Sequence, residues 1–338
     1  MAGSRLDLIA PPSGGVLLIG PRATDDLSLF DPATTQVVQG FRPDVDALAS
    51  RGFTVTQAAQ GPATAAVVFL PRAKAAAHAR VWDAAHALPA GASLWIDGQK
   101  TDGIDTMLKA LQPLAQVDDV QSKSHGKIFR VTVPEGEWLP ADWQGADQFA
   151  TEGFVTRPGV FSADAVDPGS QMLADLMPKK LPTRVVDLGA GWGWLAAQVL
   201  THPGVEVVHL VEADHAALDC AKRNVTDPRA QFHWADALNF HLKEPVNGVV
   251  MNPPFHDGRS ADPQIGARFI RKAASLLTGA GRLWMVANRH LPYETVLAEH
   301  FADVSELGGD NRFKVITATG AGKGTAGRTG AKPARPRR

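Results

Sequence analysis

Residues 185–194 read Val185-Val186-Asp187-Leu188-Gly189-Ala190-Gly191-Trp192-Gly193-Trp194. Val185–Leu188 is a short apolar run that suits a buried strand, and Leu195–Leu200 starts a helix. Between them, glycines let the backbone turn sharply and let a ligand approach without a Cβ in the way. A turn at the carboxyl end of a strand is where open α/β sheets bind ligands. The dinucleotide fingerprint G-x-G-x-x-G needs Gly or Ala where Trp194 stands, which weakens a nicotinamide dehydrogenase reading.

Downstream the pattern continues to alternate. Val205–Val211 is β-rich, Ala216–Asn224 helical and Val249–Met251 a strand. Phe269, Ile270, Ala273, Leu276 and Leu277 fall on one helical face, and Arg282–Ala287 and Phe313–Ala318 read as strands. Such alternation predicts an α/β fold with a mainly parallel sheet covered by helices on both faces.

Upstream the same order recurs. Val16-Leu17-Leu18-Ile19-Gly20 parallels Val185-Val186-Asp187-Leu188-Gly189, and Ala66–Arg72 parallels Gly248–Pro254. Pro89–Lys100 parallels Thr278–Arg289, and Lys127–Val131 parallels Lys314–Ala318. Four matches in order at offsets of 169, 182, 189 and 187 residues imply a duplicated domain. The expected division is a degenerate copy at 1–135, a Pro-, Gly- and Trp-containing linker at 136–159, a catalytic copy at 160–319 and a tail at 320–338.

Three further features of the second copy carry chemistry. Glu212 ends a strand about twenty residues after the glycines, where an acid can accept hydrogen bonds from both ribose hydroxyls of an adenosine cofactor. An exposed strand-end carboxylate is the plainer alternative. Asp236, after a third strand, can accept from an adenine N6 amine or simply cap a helix. Asn252-Pro253-Pro254-Phe255 is the most specific signal. Its two prolines lack N–H donors and stiffen the loop, leaving an acceptor-rich site that suits an exocyclic amine. The Asn252 side-chain oxygen and the Pro253 carbonyl can each accept one N–H of an –NH2 group, and Phe255 can stack on a planar base. Taken as a catalytic loop, these four residues read as an amino methyltransferase site.

Composition narrows the classes. The chain has 338 residues, 44% apolar and 20% charged, which excludes a largely disordered protein. Its single cysteine, Cys220, excludes an intramolecular disulfide and a Cys-based zinc site, and no metal is expected. No apolar run reaches the ~18 residues of a membrane helix, nor does the N-terminus carry a secretory segment, so a cytoplasmic protein without membrane partners is expected. The tail, GAGKGTAGRTGAKPARPRR, holds six basic residues and no acid, and its composition predicts disorder. Either it is an arm for a polyanion or it serves solubility. The body before it sets 28 basic against 35 acidic residues, an acidic balance that lacks the overall basic footprint of a polyanion binder.

Asp187-x-Gly189-Ala190-Gly191-x-Gly193 resembles the first motif of class I S-adenosyl-L-methionine (SAM) methyltransferases. Asn252–Gly258, Phe269–Ala273, Ala287–Tyr293 and Arg312–Val315 resemble the bacterial ribosomal RNA small subunit methyltransferase C family and its large-subunit relatives. Pro158–Ser162, Asp167–Ser170 and Ser122–His125 match as well. The resemblance covers nearly the whole chain except the tail. It implies two tandem Rossmann-like methyltransferase domains, the N-terminal one degenerate and without cofactor. It also implies a transfer from SAM to the N2 amine of a guanine in ribosomal RNA, leaving S-adenosyl-L-homocysteine. The expected setting is rRNA processing, with ribosomal RNA or the small ribosomal subunit as partner and a monomeric enzyme. On this reading Asp187, Gly189, Ala190, Gly191, Gly193, Glu212 and Asp236 hold SAM, while Asn252, Pro253, Pro254 and Phe255 are catalytic.

The first copy departs where that chemistry lies. Leu18, Gly20, Pro21 and Arg22 stand against Asp187, Gly189, Ala190 and Gly191, and Leu70-Pro71-Arg72-Ala73 against the Asn-Pro-Pro-Phe loop. The first copy is therefore not expected to bind SAM. Its Arg72, Lys74, Lys100, Lys123, Lys127 and Arg130, with Arg268, Arg271 and Lys272 of the second, are candidates for RNA phosphates or plain solvated charges. Transfer to a DNA adenine or a protein glutamine amide, and a non-catalytic RNA-binding or ribosome assembly factor, remain the alternatives.

Overall fold

A computed structural model describes residues 4–323 apart from 11, 13, 151–152, 255, 258–259 and 262. The chain divides into two compact units, Met1–Gln148 with Arg157–Ala163, and Phe149–Thr156 with Asp164–Arg338. The first unit runs β1 (Val16–Ile19), β2 (Thr35–Val38), α1 (Arg42–Ser50), β3 (Thr54–Thr56), β4 (Ala65–Phe69) and α2 (Lys74–His86). It continues with β5 (Ser93–Gln99), α3 (Ile104–Leu111), β6 (Gln116–Lys123) and β7 (Gly126–Thr132). The second runs α4 (Pro168–Leu176), β8 (Arg184–Leu188), α5 (Trp194–Leu200), β9 (Val207–Glu212), α6 (His215–Asn224), β10 (Ala230–Trp234) and β11 (Val246–Met251). It ends with α7 (Pro263–Leu276), β12 (Leu277–Asn288), α8 (Glu294–His300), β13 (Asp303–Gly309) and β14 (Phe313–Thr319).

Both units form a seven-stranded sheet of one strand order, β3-β2-β1-β4-β5-β7-β6 and β10-β9-β8-β11-β12-β14-β13. Five strands of each are parallel and the last two pair antiparallel. The central strands are buried on both faces: β1 and β4 are buried throughout, and only the first residue of β8 is not. That is why they read as continuous apolar runs. The helical face of Phe269, Ile270, Ala273 and Leu276 is buried in the core of the second unit, and Leu277, which opens β12, joins it. Leu139 and Trp143, from the stretch read as a linker, lie in the core of the first unit. The tail's first residues, Gly320–Lys323, form a turn in which Gly322 N–H donates to the His300 carbonyl. The remainder of the tail, 324–338, lies outside the described residues.

Strand pairing aligns the copies. Leu17 pairs with Ala66 as Val186 pairs with Val249. This sets Phe69 against Asn252 and Arg72 against Phe255, one residue from the match read in the sequence. The apolar runs Ala65–Phe69 and Val249–Met251 look alike in either register, but a one-residue slip exchanges faces of the sheet. In the same way Val38 matches Val211, so Gln39 stands where the second unit has Glu212.

In the first unit the carboxyl ends of the central strands are filled by protein. No helix lies between β1 and β2 among the described residues, whereas α5 follows β8. Arg80 of α2 donates from Nη1 to the Phe69 carbonyl at 2.7 Å and the Gly20 carbonyl at 3.3 Å. A Cβ on Gly20 would fall on this guanidinium. Gln39 donates to the Pro21 carbonyl at 2.7 Å and accepts from Gly40 and Phe41 N–H. Beside β5, the half-buried Arg5 grips Asp97 with two hydrogen bonds. Arg80, Gln39 and Arg5 thus spend their polar groups on bonds within the chain at these strand ends. Arg80→Ala leaves two inward-facing carbonyls without this donor, at about 1–3 kcal/mol. A lower urea midpoint is expected, with no SAM binding gained at the first unit by isothermal titration.

Candidate active site

The second unit leaves the corresponding place open. Gly189, Gly191 and Gly193 have φ of 84°, 55° and 90°, the left-handed region that favours glycine. A Cβ on Gly191 would meet nothing within 4 Å, while one on Gly193 would press on Val225 and Ala221 at 3.0 and 3.1 Å. Gly191 therefore leaves room for a ligand, and Gly193 lets the turn pack against α6. Gly189 and Ala190 N–H both donate to the Val211 carbonyl, at 2.9 and 3.0 Å, so the turn is tied to β9. Trp194 is buried at the start of α5.

Two acids sit against this cradle. Glu212 accepts from Gly191 N–H at 2.8 Å on one oxygen and from Asp214 N–H at 2.7 Å on the other. Each oxygen keeps a lone pair for a hydroxyl. Asp187 is 1% exposed, and its Oδ2 has no hydrogen-bond partner. Burial, then the neighbouring Glu212, pushes Asp187 up to about 8, and burial pushes Glu212 up to about 7. An orphaned buried acceptor beside an open glycine turn is what a donor-bearing ligand completes. The residues present thus fit SAM, whose ribose offers two hydroxyl donors and whose sulfonium and ammonium favour ionised carboxyls. Asp236 accepts from Leu238 N–H at 2.9 Å and the Asn239 side chain at 2.7 Å, closing the turn after β10. On the neighbouring α7, Lys272 donates to the Phe240 carbonyl at 3.0 Å.

Asn252 follows β11 directly. Its Nδ2 donates to Asp167 Oδ1 at 2.7 Å and to Ser170 Oγ at 2.9 Å. Asp167 Oδ1 also accepts Ser170 N–H at 2.9 Å and so caps α4. With both N–H bonds engaged, the amide's oxygen is the end left for a ligand. Pro253 is buried and Pro254 exposed. Phe255 lies outside the described residues. Asp167 and Ser170 did not stand out as functional in the sequence; only their membership of the Asp-Pro-Gly-Ser stretch pointed to them.

Several charges have structural partners. Lys123 pairs with Asp7 at 3.0 Å, Lys127 with Asp105 at 2.6 Å and Arg130 with Asp119 at 3.1 Å. Arg289 bonds the Phe313 carbonyl and Glu306, and the buried Lys314 bonds the Leu291 carbonyl and Glu294. Arg72, Lys74, Lys100, Arg268 and Arg271 are exposed.

A parallel sheet whose order reverses beside its first strand, with a glycine cradle and a strand-end acid at the reversal, defines a class I SAM-dependent methyltransferase. Residues 152–317 match the methyltransferase small domain, and 35–141 match its N-terminal companion domain. The ribosomal RNA small subunit methyltransferase C of Alteromonas mediterranea is 30% identical over 276 residues, 79% of this chain and 76% of that protein. That of Shewanella pealeana is 31% identical over 260 residues, 74% and 76% of the two chains. The solved T. thermophilus 16S rRNA N2 G1207 methyltransferase, in complex with AdoMet and guanosine, superposes with a TM-score of 0.78 at 25% identity, covering 91% of this chain and 88% of that one. The chain belongs to the ribosomal RNA small subunit methyltransferase C family.

The raised acids give the ligand-free protein a signature. A carboxyl whose folded-state pKa is raised holds stability that is full below its ordinary value and is lost as pH rises through about 7 for Glu212 and 8 for Asp187. A cationic ligand favours the ionised forms, so SAM affinity should rise about tenfold from pH 6 to pH 8. Isothermal titration at the two pH values measures this, and Glu212→Gln should both weaken binding and flatten the rise.

Proposed function

We propose that this protein transfers the methyl group of SAM to the exocyclic N2 amine of a guanine in ribosomal RNA of the small subunit. The observation that carries the reading is the Asn252 amide, whose N–H bonds are taken by Asp167 and Ser170. Its free oxygen accepts one N–H of the amine, and the Pro253 carbonyl accepts the other. Methylation of the counterpart of G1207, named for the T. thermophilus relative, is the natural assignment.

When bound, SAM supplies an electrophilic methyl on a sulfonium. Asp187, Gly189, Ala190, Gly191, Gly193, Glu212 and Asp236 would hold it, with Glu212 on the ribose and Asp236 on the adenine edge. The chain's contribution to the chemistry is positioning and electrostatics. The guanine amine is normally flat, its lone pair drawn into the ring. Two acceptors fix both N–H bonds and favour the pyramidal form, whose lone pair can attack. The base is splayed from its stack, at a few kcal/mol, and Phe255 offsets part of that by stacking. The first unit serves RNA recognition, with Arg72, Lys74 and Lys100 exposed for phosphates. The protein acts as a cytoplasmic monomer. Among the described residues no helix is long and apolar enough to cross a membrane.

Labelled SAM, offered to small subunits and naked ribosomal RNA from cells lacking this protein, should yield N2-methylguanosine by mass spectrometry. Label on another nucleoside, or none, would overturn the assignment. Asn252→Ala should keep SAM binding while transfer falls at least ~10²-fold, the scale of losing one oriented polar group at the reacting atom.

A further inference from the structure

We infer that Asp167 is a positioning residue that fixes the polarity of the Asn252 amide, a deepening that rests on the function proposed above. A carboxamide has two nearly isosteric ends of opposite hydrogen-bonding sense. With the oxygen toward the substrate, it receives an amine; turned over, it sets N–H against N–H. Sequence alone does not choose between the ends.

The structure supplies the choice in Asp167. An ionised carboxylate only accepts, so it stabilises the Nδ2 end at 2.7 Å and disfavours the oxygen end. Ser170 Oγ takes the second N–H at 2.9 Å. A hydroxyl can donate or accept, so Ser170 follows the orientation that Asp167 imposes. The whole device comes from one helix start. Pro168 opens α4, Asp167 caps it through Ser170 N–H, and the same Oδ1 reaches the end of β11, 85 residues away in sequence. Ser170 is one turn in, on the capped side.

The first unit has no such arrangement, which agrees with its lost chemistry. Phe69 stands at the Asn252 position, and no helix of eight or more residues precedes β1 among the described residues.

Capping and positioning are separable. Asp167→Asn keeps an acceptor oxygen of the same reach, held toward Asn252 because Ser170 N–H donates to that same oxygen, and remains a good cap. Asp167→Ser also caps well, but its side chain is too short to hold the Asn252 amide. Steady-state transfer from SAM to small subunits should show Asp167→Asn within about threefold of the unaltered enzyme. Asp167→Ser should lose at least ~10-fold in kcat, with the KM for RNA, the SAM affinity and Tm little changed. In the Asn252→Ala background Asp167→Ser should cost nothing further, because the amide it orients is gone. Equal kcat for Asp167→Ser and the unaltered enzyme would overturn the proposal. So would a full further loss in the Asn252→Ala background, or a fall in SAM affinity that accounts for the effect. If the unaltered enzyme makes no N2-methylguanosine, the functional reading falls first and this one with it. If it does, and Asp167→Ser makes it as fast, only the positioning role falls.

Discussion

A parallel sheet whose strand order reverses beside its first strand cannot close its own crevice. The connections leaving the two strands at the reversal run to opposite faces, and the strand ends between them stay open. The peptide groups and side chains there must find partners, in the protein or in a ligand. Both halves of this chain inherit that constraint through one strand order, and they meet it in opposite ways. The first half fills the crevice with Arg80, Arg5 and Gln39. The second holds it open with glycines and faces it with acids.

The two solutions differ in electrostatic sense as well as in volume. In the first half, guanidinium and amide donors meet carbonyls at the strand ends, and Asp97 is matched by Arg5. In the second half, Asp187 and Glu212 lie close together and mostly out of water, and Glu212 adds to the cost of ionising Asp187. That is unfavourable in the ligand-free protein and becomes favourable only when positive charge and hydroxyl donors arrive. The duplication thus separates a unit whose strand ends are bonded within the chain from one whose local energetics are completed by its cofactor.

Much of this was legible in the chain. The central strands announced themselves because burial on both faces makes them continuously apolar, and the glycine turn and Asn-Pro-Pro-Phe loop carry their chemistry in adjacent residues. What escaped depends on register and on distant contacts. The match between the copies slipped by one residue at β4 because Ala66-Val67-Val68 and Gly248-Val249-Val250 are alike in either alignment. Gln39 as the replacement for Glu212, and Arg80 as the plug, emerge only once the strands are paired. The edge strands β6 and β13, largely exposed and each broken by a register shift, carry too little apolar pattern to be read. Lys123, Lys127 and Arg130 were open between phosphate ligands and solvated charges, and only the fold shows the acidic side chains they pair with. Asp167 entered only as part of the matching Asp-Pro-Gly-Ser stretch, and its contacts with Ser170 and Asn252 depend on the fold.

The same hydrogen-bond logic bears on which base the loop prefers. Adenine, cytosine and guanine all carry an exocyclic amine, so an acceptor for –NH2 does not by itself separate them. The neighbouring ring atom does. Beside its amine adenine has N1 and cytosine has N3, both acceptors that call for a donor. Guanine's N2 amine lies between N3, an acceptor, and N1–H, which on the Watson–Crick side is a third donor beside the two on N2. Prolines at 253 and 254 remove two successive backbone donors, and Asp167 turns the donor end of Asn252 away from the free face of the amide. On the Watson–Crick side of the amine, a loop stripped of donors in this way leaves the ring acceptor of adenine or cytosine unsatisfied once desolvated, at about 1–3 kcal/mol, whereas guanine presents N1–H there. On the reading proposed for Asn252, the polarity that readies the amine for attack therefore also favours the base that sets a ring N–H, and not a ring acceptor, on the Watson–Crick side of its amine.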